Sequence, residues 1–105
     1  MNLRKLARLQ HCQLQIPGTC NHNPETTVLA HIRDGFFGMG TKPNDDPSKG
    51  PVSAVMACSD CHDAIDRRSK RFLSHDPLLQ KQLNEDRRFF IENALGRMEA
   101  WLGTS

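Results

Sequence analysis

Apolar positions along the chain fall into four runs whose spacing differs. Leu3, Leu6, Ala7 and the stretch from Leu9 to Leu14 recur at roughly helical intervals and stop before Pro17-Gly18, a turn signal. Thr26, Thr27, Val28, Leu29 and Ile32 are β-branched or apolar over a short span, which predicts a strand entering the core with His31 at its end. Val52 to Ala57 predicts a second short strand that runs directly into Cys58-Ser59-Asp60-Cys61-His62. A helix is expected next, capped by Ser59 or Asp60, with Ala64, Ile65 and a basic run in its later turns. The longest pattern comes last. Asp76-Pro77 supplies an N-cap and a first-turn proline, Leu79, Leu83, Phe90, Ala94, Met98 and Trp101 share one face, and Gly103 is placed to end the helix. Between the strands, Gly35 to Pro51 carries Gly, Pro and the polar run Asn44-Asp45-Asp46, a long loop of the kind that often carries function.

Composition narrows the classes. The 105 residues read as one domain, 1–105, small enough that a metal or disulfide staple is physically useful. A hydrophobic share of 37% and a mean hydropathy of -0.59 leave no room for a membrane span. The amino terminus is basic and amphipathic and lacks the apolar core of a secretory signal, so a cytoplasmic setting is expected. A net charge of +2 does not by itself argue a nucleic-acid partner, but Arg67, Arg68, Lys70 and Arg71 cluster, as do Arg4, Lys5 and Arg8.

In a reducing compartment four cysteines point to zinc rather than to disulfides. Cys58 and Cys61, two residues apart, can present both thiolates to one tetrahedral ion, and the Pro17-Gly18 turn allows Cys12 and Cys20 to complete the set. Sites in which His11, His22 or His62 replaces one cysteine remain alternatives. The run Cys58 to His62 also has the form of a c-type haem attachment signature, but that chemistry belongs to exported proteins and leaves Cys12 and Cys20 without a role, so no haem is expected. His62 and Asp66 stand one helical turn apart and can share an ion or orient each other, with Asp63 beside them. His31, neutral near pH 7, suits the role of a general base.

The order strand-His, long loop, strand, Cys-x-x-Cys-His, helix resembles the HNH or ββα-metal nucleases. The segments Asn23-Pro24-Glu25-Thr26, Leu29-Ala30-His31-Ile32-Arg33, Gly40-Thr41-Lys42-Pro43 and Ala57 to Arg68 look like the YbcO-like nucleases of lambdoid prophages. This resemblance implies an α+β fold with a small zinc-stapled ββα-metal core and a long C-terminal helix. It implies a phosphodiester hydrolase acting on nucleic acid, expected to be DNA. His31 would be the general base and His62, with Asp63 or Asp66, would hold a magnesium or manganese ion. Arg33, Lys42, Arg67 and Arg68 would contact phosphates. Two positions depart from the pattern: Ala30 stands where many HNH enzymes carry a metal-binding Asp or His, and Ser53 roughly where an Asn is usual. A catalytically inactive zinc-stabilised DNA-binding or adaptor module is the competing expectation.

Overall fold

The computed structural model describes residues 2–32 and 44–104. Two four-residue strands, β1 (Val28–His31) and β2 (Ala54–Ala57), pair antiparallel with Val28 opposite Ala57, Leu29 opposite Met56, Ala30 opposite Val55 and His31 opposite Ala54. Successive side chains on a strand point to opposite faces, so this register sorts the hairpin into two sides. Ala30, Ile32, Val55 and Ala57 join Cys58, Cys61, Ala64, Ile65, Phe72, Ile91 and Ala94 in one buried cluster. Leu29, Ala54 and Met56 join Leu3, Ala7 and Met98 in another. His31 lies opposite Ala54 and so belongs to the second side.

The first helix, α1 (Leu3–Ala7), is shorter than its apolar pattern suggests. Arg8 turns extended and Leu9 takes a positive φ of 68°. The reason is tertiary. Beyond the helix the chain must bury Leu14 and Ile16 with the first cluster and bring Gln13 against β2. There the Gln13 backbone N–H donates to Met56 O at 2.6 Å and its side-chain Oε1 accepts the Met56 N–H at 2.8 Å. Arg97 donates to the Gln13 carbonyl, tying the same residue to the last helix. The first strand is shorter than expected too, because Pro24–Thr26 forms a single 3-10 turn.

The helix after β2, α2 (Ser59–Ile65), corrects a sequence expectation: its N-cap is Cys58, whose Sγ accepts the Cys61 N–H at 3.4 Å, and neither Ser59 nor Asp60 caps it. It ends before the basic run, with Arg67 at φ 59°. The last helix, α3 (Pro77–Thr104), begins as expected, with Asp76 Oδ1 accepting the Leu78 N–H at 3.0 Å. It runs through Gly103 rather than ending there. Ile91, Ala94 and Met98 are its buried apolar residues, while Leu79 stays half exposed. The buried Arg87 donates through Nε to Ile65 O at 2.7 Å, satisfying a carbonyl at the end of α2 that the helix itself leaves open. Among the described residues no helix is long and apolar enough to cross a membrane.

Candidate functional site

Three local turns deliver the four cysteines to one point. The Pro17-Gly18 turn closes as its sequence predicts, with Gly18 at φ 73° and the Thr19 and Cys20 N–H groups both donating to Ile16 O. Cys12 is held by the Gln15 N–H, which reaches its Sγ at 3.5 Å, and Cys58 by its own capping turn. All four Sγ atoms lie within 4.8 Å of one another, and the Cys20 and Cys58 sulfurs are 3.9 Å apart. A tetrahedral ion with sulfurs at about 2.3 Å separates them by about 3.8 Å, so the spacing suits such an ion after a small contraction. None of the four is in a disulfide. The set can hold a metal ion such as zinc, and among the described residues it is the group of three or more potential ligands that converges.

The electrostatics of the set also call for a cation. A hydrogen bond from the Cys61 thiol, aided by backbone N–H groups, pulls Cys12 down, while that bond and then burial push Cys61 up. Burial, followed by the charge of its neighbours, raises Cys20 to about 11. One thiolate is therefore favoured and further ones are opposed, the condition that a bound divalent ion reverses. His22 Nδ1 comes within 3.7 Å of the Cys20 sulfur, but His11, His22 and His62 stand outside the converging group.

Asn21 braces this centre, a role that sequence reading missed. Its side-chain Nδ2 donates to Asp60 Oδ2 at 3.0 Å and to Ser59 Oγ at 3.3 Å, and its Oδ1 accepts the Asn23 N–H at 2.8 Å. It thereby ties the segment after Cys20 to the first turn of α2, as residues that brace metal ligands commonly do.

The two candidate histidines do not meet. His31 sits on the α1 side of the hairpin, whereas α2, which carries His62, packs its Cys61, Ala64 and Ile65 against the other side. His62 Nε2 pairs with Asp66 Oδ2 at 3.0 Å, as their spacing predicts. Asp63 turns instead to Arg68, 3.8 Å away, so these three do not converge as a ligand set. Arg68 also reaches Asp66 at 3.7 Å, and Arg67 reaches Asn84. Ala30 is fully buried on the α2 side and offers no ligand. Arg33 and Lys42 lie outside the described residues.

His31 has a partner that no spacing or motif signals. Its Nε2 lies 2.9 Å from Asp45 Oδ2, across fourteen positions of chain, and its side chain is 15% exposed. Hydrogen bonding to His31, with the charge of Arg4 adding to it, holds the Asp45 carboxyl below its ordinary 3.8. An ionised Asp45 accepts a proton bond from Nε2, which leaves Nδ1 as the basic nitrogen, and among the described residues Nδ1 has no hydrogen-bond partner. The arrangement can orient an imidazole for proton abstraction.

A family model described as "Putative nuclease YbcO" matches residues 1–98. Two curated proteins of that description, from Escherichia coli (strain K12) and from Enterobacteria phage 82, are each 58% identical over 69 residues, covering 65% of this chain and 66% of the relative. The chain thus matches about two thirds of the length of these curated relatives. A solved structure, described as that of "a putative bacteriophage protein" from Escherichia coli K-12 substrain MG1655, is 38% identical with a TM-score of 0.59 and 96% of each chain covered.

Proposed function

From the premise that the chain belongs to the YbcO family, we propose that it is a nuclease that hydrolyses phosphodiester bonds in DNA, with zinc on its four cysteines and His31 as general base. The observation that carries this reading is the His31–Asp45 pair at 2.9 Å. Asp45 fixes the ring, Nδ1 takes a proton from water, the water oxygen forms a bond to phosphorus, and one ester oxygen leaves with the electrons of the broken P–O bond. A divalent ion bound at the site would neutralise charge on the phosphate and leaving oxygen. His62 and Asp66 pair with each other on the other side of the hairpin from His31, so they are not ligands for an ion beside this base.

The assay is cleavage of plasmid and branched DNA with magnesium or manganese by wild type and His31→Ala. Loss of about 10²- to 10⁴-fold in the variant, the usual worth of a positioned base, is expected. Equal rates in the two would sink the mechanism. A second reading, a zinc-stabilised DNA-binding module without turnover, is favoured by the buried Ala30 and by the lack of a second converging ligand group among the described residues. Salt-dependent DNA binding by a wild type that cuts under neither metal would select it.

A further inference from the structure

The basic residues named for phosphate contact from the sequence are either engaged with acids and amides on α2 and α3 or lie outside the described residues. Arg4 and Arg8, on the other side of the hairpin, are differently placed. Leu3 and Ala7 are buried against Leu29, Ala54 and Met56, which fastens α1 across this side of the sheet. Arg4 and Arg8, four positions apart and exposed, consequently stand over the edge of β1. Between them and the strand lies a cleft of about 530 Å³, with Thr27, Leu29 and His31 along it and Glu25 also lining it. Leu29 and His31 share the face that α1 covers, and the exposed Val28 between Thr27 and Leu29 also borders the cleft.

We propose that this cleft seats a phosphodiester of the nucleic-acid backbone, with the Arg4 and Arg8 guanidinium groups as its clamp and His31 at its inner wall. The seat rests on the nuclease reading only for the claim that the bound phosphate is the one cut. Guanidinium groups present paired N–H donors that match two phosphate oxygens, and the donors here are available. Arg8 has no ion-pair partner among the described residues, and Arg4 touches Asp45 only through Nε, at 3.7 Å. The lining sets Arg4 and Arg8 against Glu25, and Asp45 touches Arg4 from beside His31, so the paired N–H donors rather than an excess of positive charge are what the cleft offers a phosphate. The volume falls within the range of ordinary ligand clefts. His31, held by Asp45 through Nε2, borders this space.

The test is fluorescence anisotropy over a salt series with labelled DNA and RNA duplexes of one sequence, without divalent ions, joined to cleavage rates with them. Arg4→Ala/Arg8→Ala is expected to weaken binding at least about tenfold and to reduce the salt slope by about 1 to 2, while Arg4→Lys/Arg8→Lys keeps most of the affinity. Lys81→Ala, on the exposed surface of α3, should bind as wild type. Weakening on DNA assigns the seat to DNA, and weakening confined to RNA assigns it to RNA. Wild-type affinity and slope in the alanine pair on both polymers overturns the seat. Should the alanine pair lose its helical circular dichroism, Arg4→Gln/Arg8→Gln carries the same expectation while keeping most of the stem. A wild type that binds through Arg4 and Arg8 but never cuts retains the seat and removes the nuclease reading. Cleavage that needs His31 but is indifferent to the arginine pair does the reverse.

Discussion

The two sides of the hairpin differ although they share eight strand residues. One side is closed: Ala30, Ile32, Val55 and Ala57 are buried against α2, α3 and the sulfur cluster, and their environment is apolar. The other is closed only where Leu3, Ala7 and Met98 cover it, and at the His31 end it opens to Asp45, Arg4 and a cleft. Adjacent residues make the contrast plain, since Ala30 is fully buried and His31, the next residue, carries a nitrogen without a partner among the described residues. A period of two lets one short strand serve the frame with one residue and the chemistry with the next. Stability and reactivity should therefore separate under mutation.

The metal centre is where that separation is most severe. Cys58→Ser removes a sulfur and also the cap of α2, so loss of cooperative folding is expected, as is the case for chelation of the wild type with recovery on adding zinc. Circular dichroism with metal analysis reads this, and a melt indifferent to chelation would detach the sulfur side from stability. His31→Ala belongs at the opposite pole, with cleavage down about 10²- to 10⁴-fold and the melting temperature nearly kept. A large drop in stability there would erase the distinction between the sides. Asp45→Asn is milder: a loss of about 10- to 100-fold in turnover is the expectation for a group that orients another, with substrate affinity kept or raised because a carboxylate beside Arg4 is removed. Asp76→Ala touches neither side and should cost about 1 kcal/mol through its lost cap, measured by denaturant unfolding, with activity per folded molecule intact.

Acid gives a check that needs no substitution. Asp45 is held below 3.8 in the folded protein, so what it contributes is present in full above that value. The contribution is lost as the pH falls through the lower folded value, and carboxyl carbon NMR should find Asp45 titrating below 3.8 in wild type and closer to it in His31→Ala. An Asp45 titration unmoved by the variant would leave the 2.9 Å contact without an energetic role.

How far the sequence foretold these features depends on the range over which each is determined. Asp76-Pro77, Pro17-Gly18 and Cys58 with Cys61 are local devices, and each does what its chemistry predicts. Cys12 and Cys20 were legible only through the turn between them, yet their sulfurs join the other two. Helical spacing alone overextends α1 because Gln13 to Ile16 answer to β2 and the core. The cap of α2 escapes the usual capping signals because a sulfur, rather than an oxygen, accepts the N–H. Asp45 could not have been chosen over Asn44 or Asp46, since only the folded loop brings it to His31. The separation of His31 from His62 likewise follows from strand register, which a list of motifs does not contain.

Gln13 has a consequence beyond anchoring a segment. A two-stranded hairpin has an outer edge whose unpaired N–H and C=O groups invite another chain to add a strand. At Met56 both groups are taken by one glutamine, its N–H and its side-chain oxygen standing in for a neighbouring strand. This plug occupies the middle of β2, where an incoming strand would have to begin pairing. It is a safeguard against sheet-to-sheet aggregation built from one side chain, and it works without lengthening the sheet.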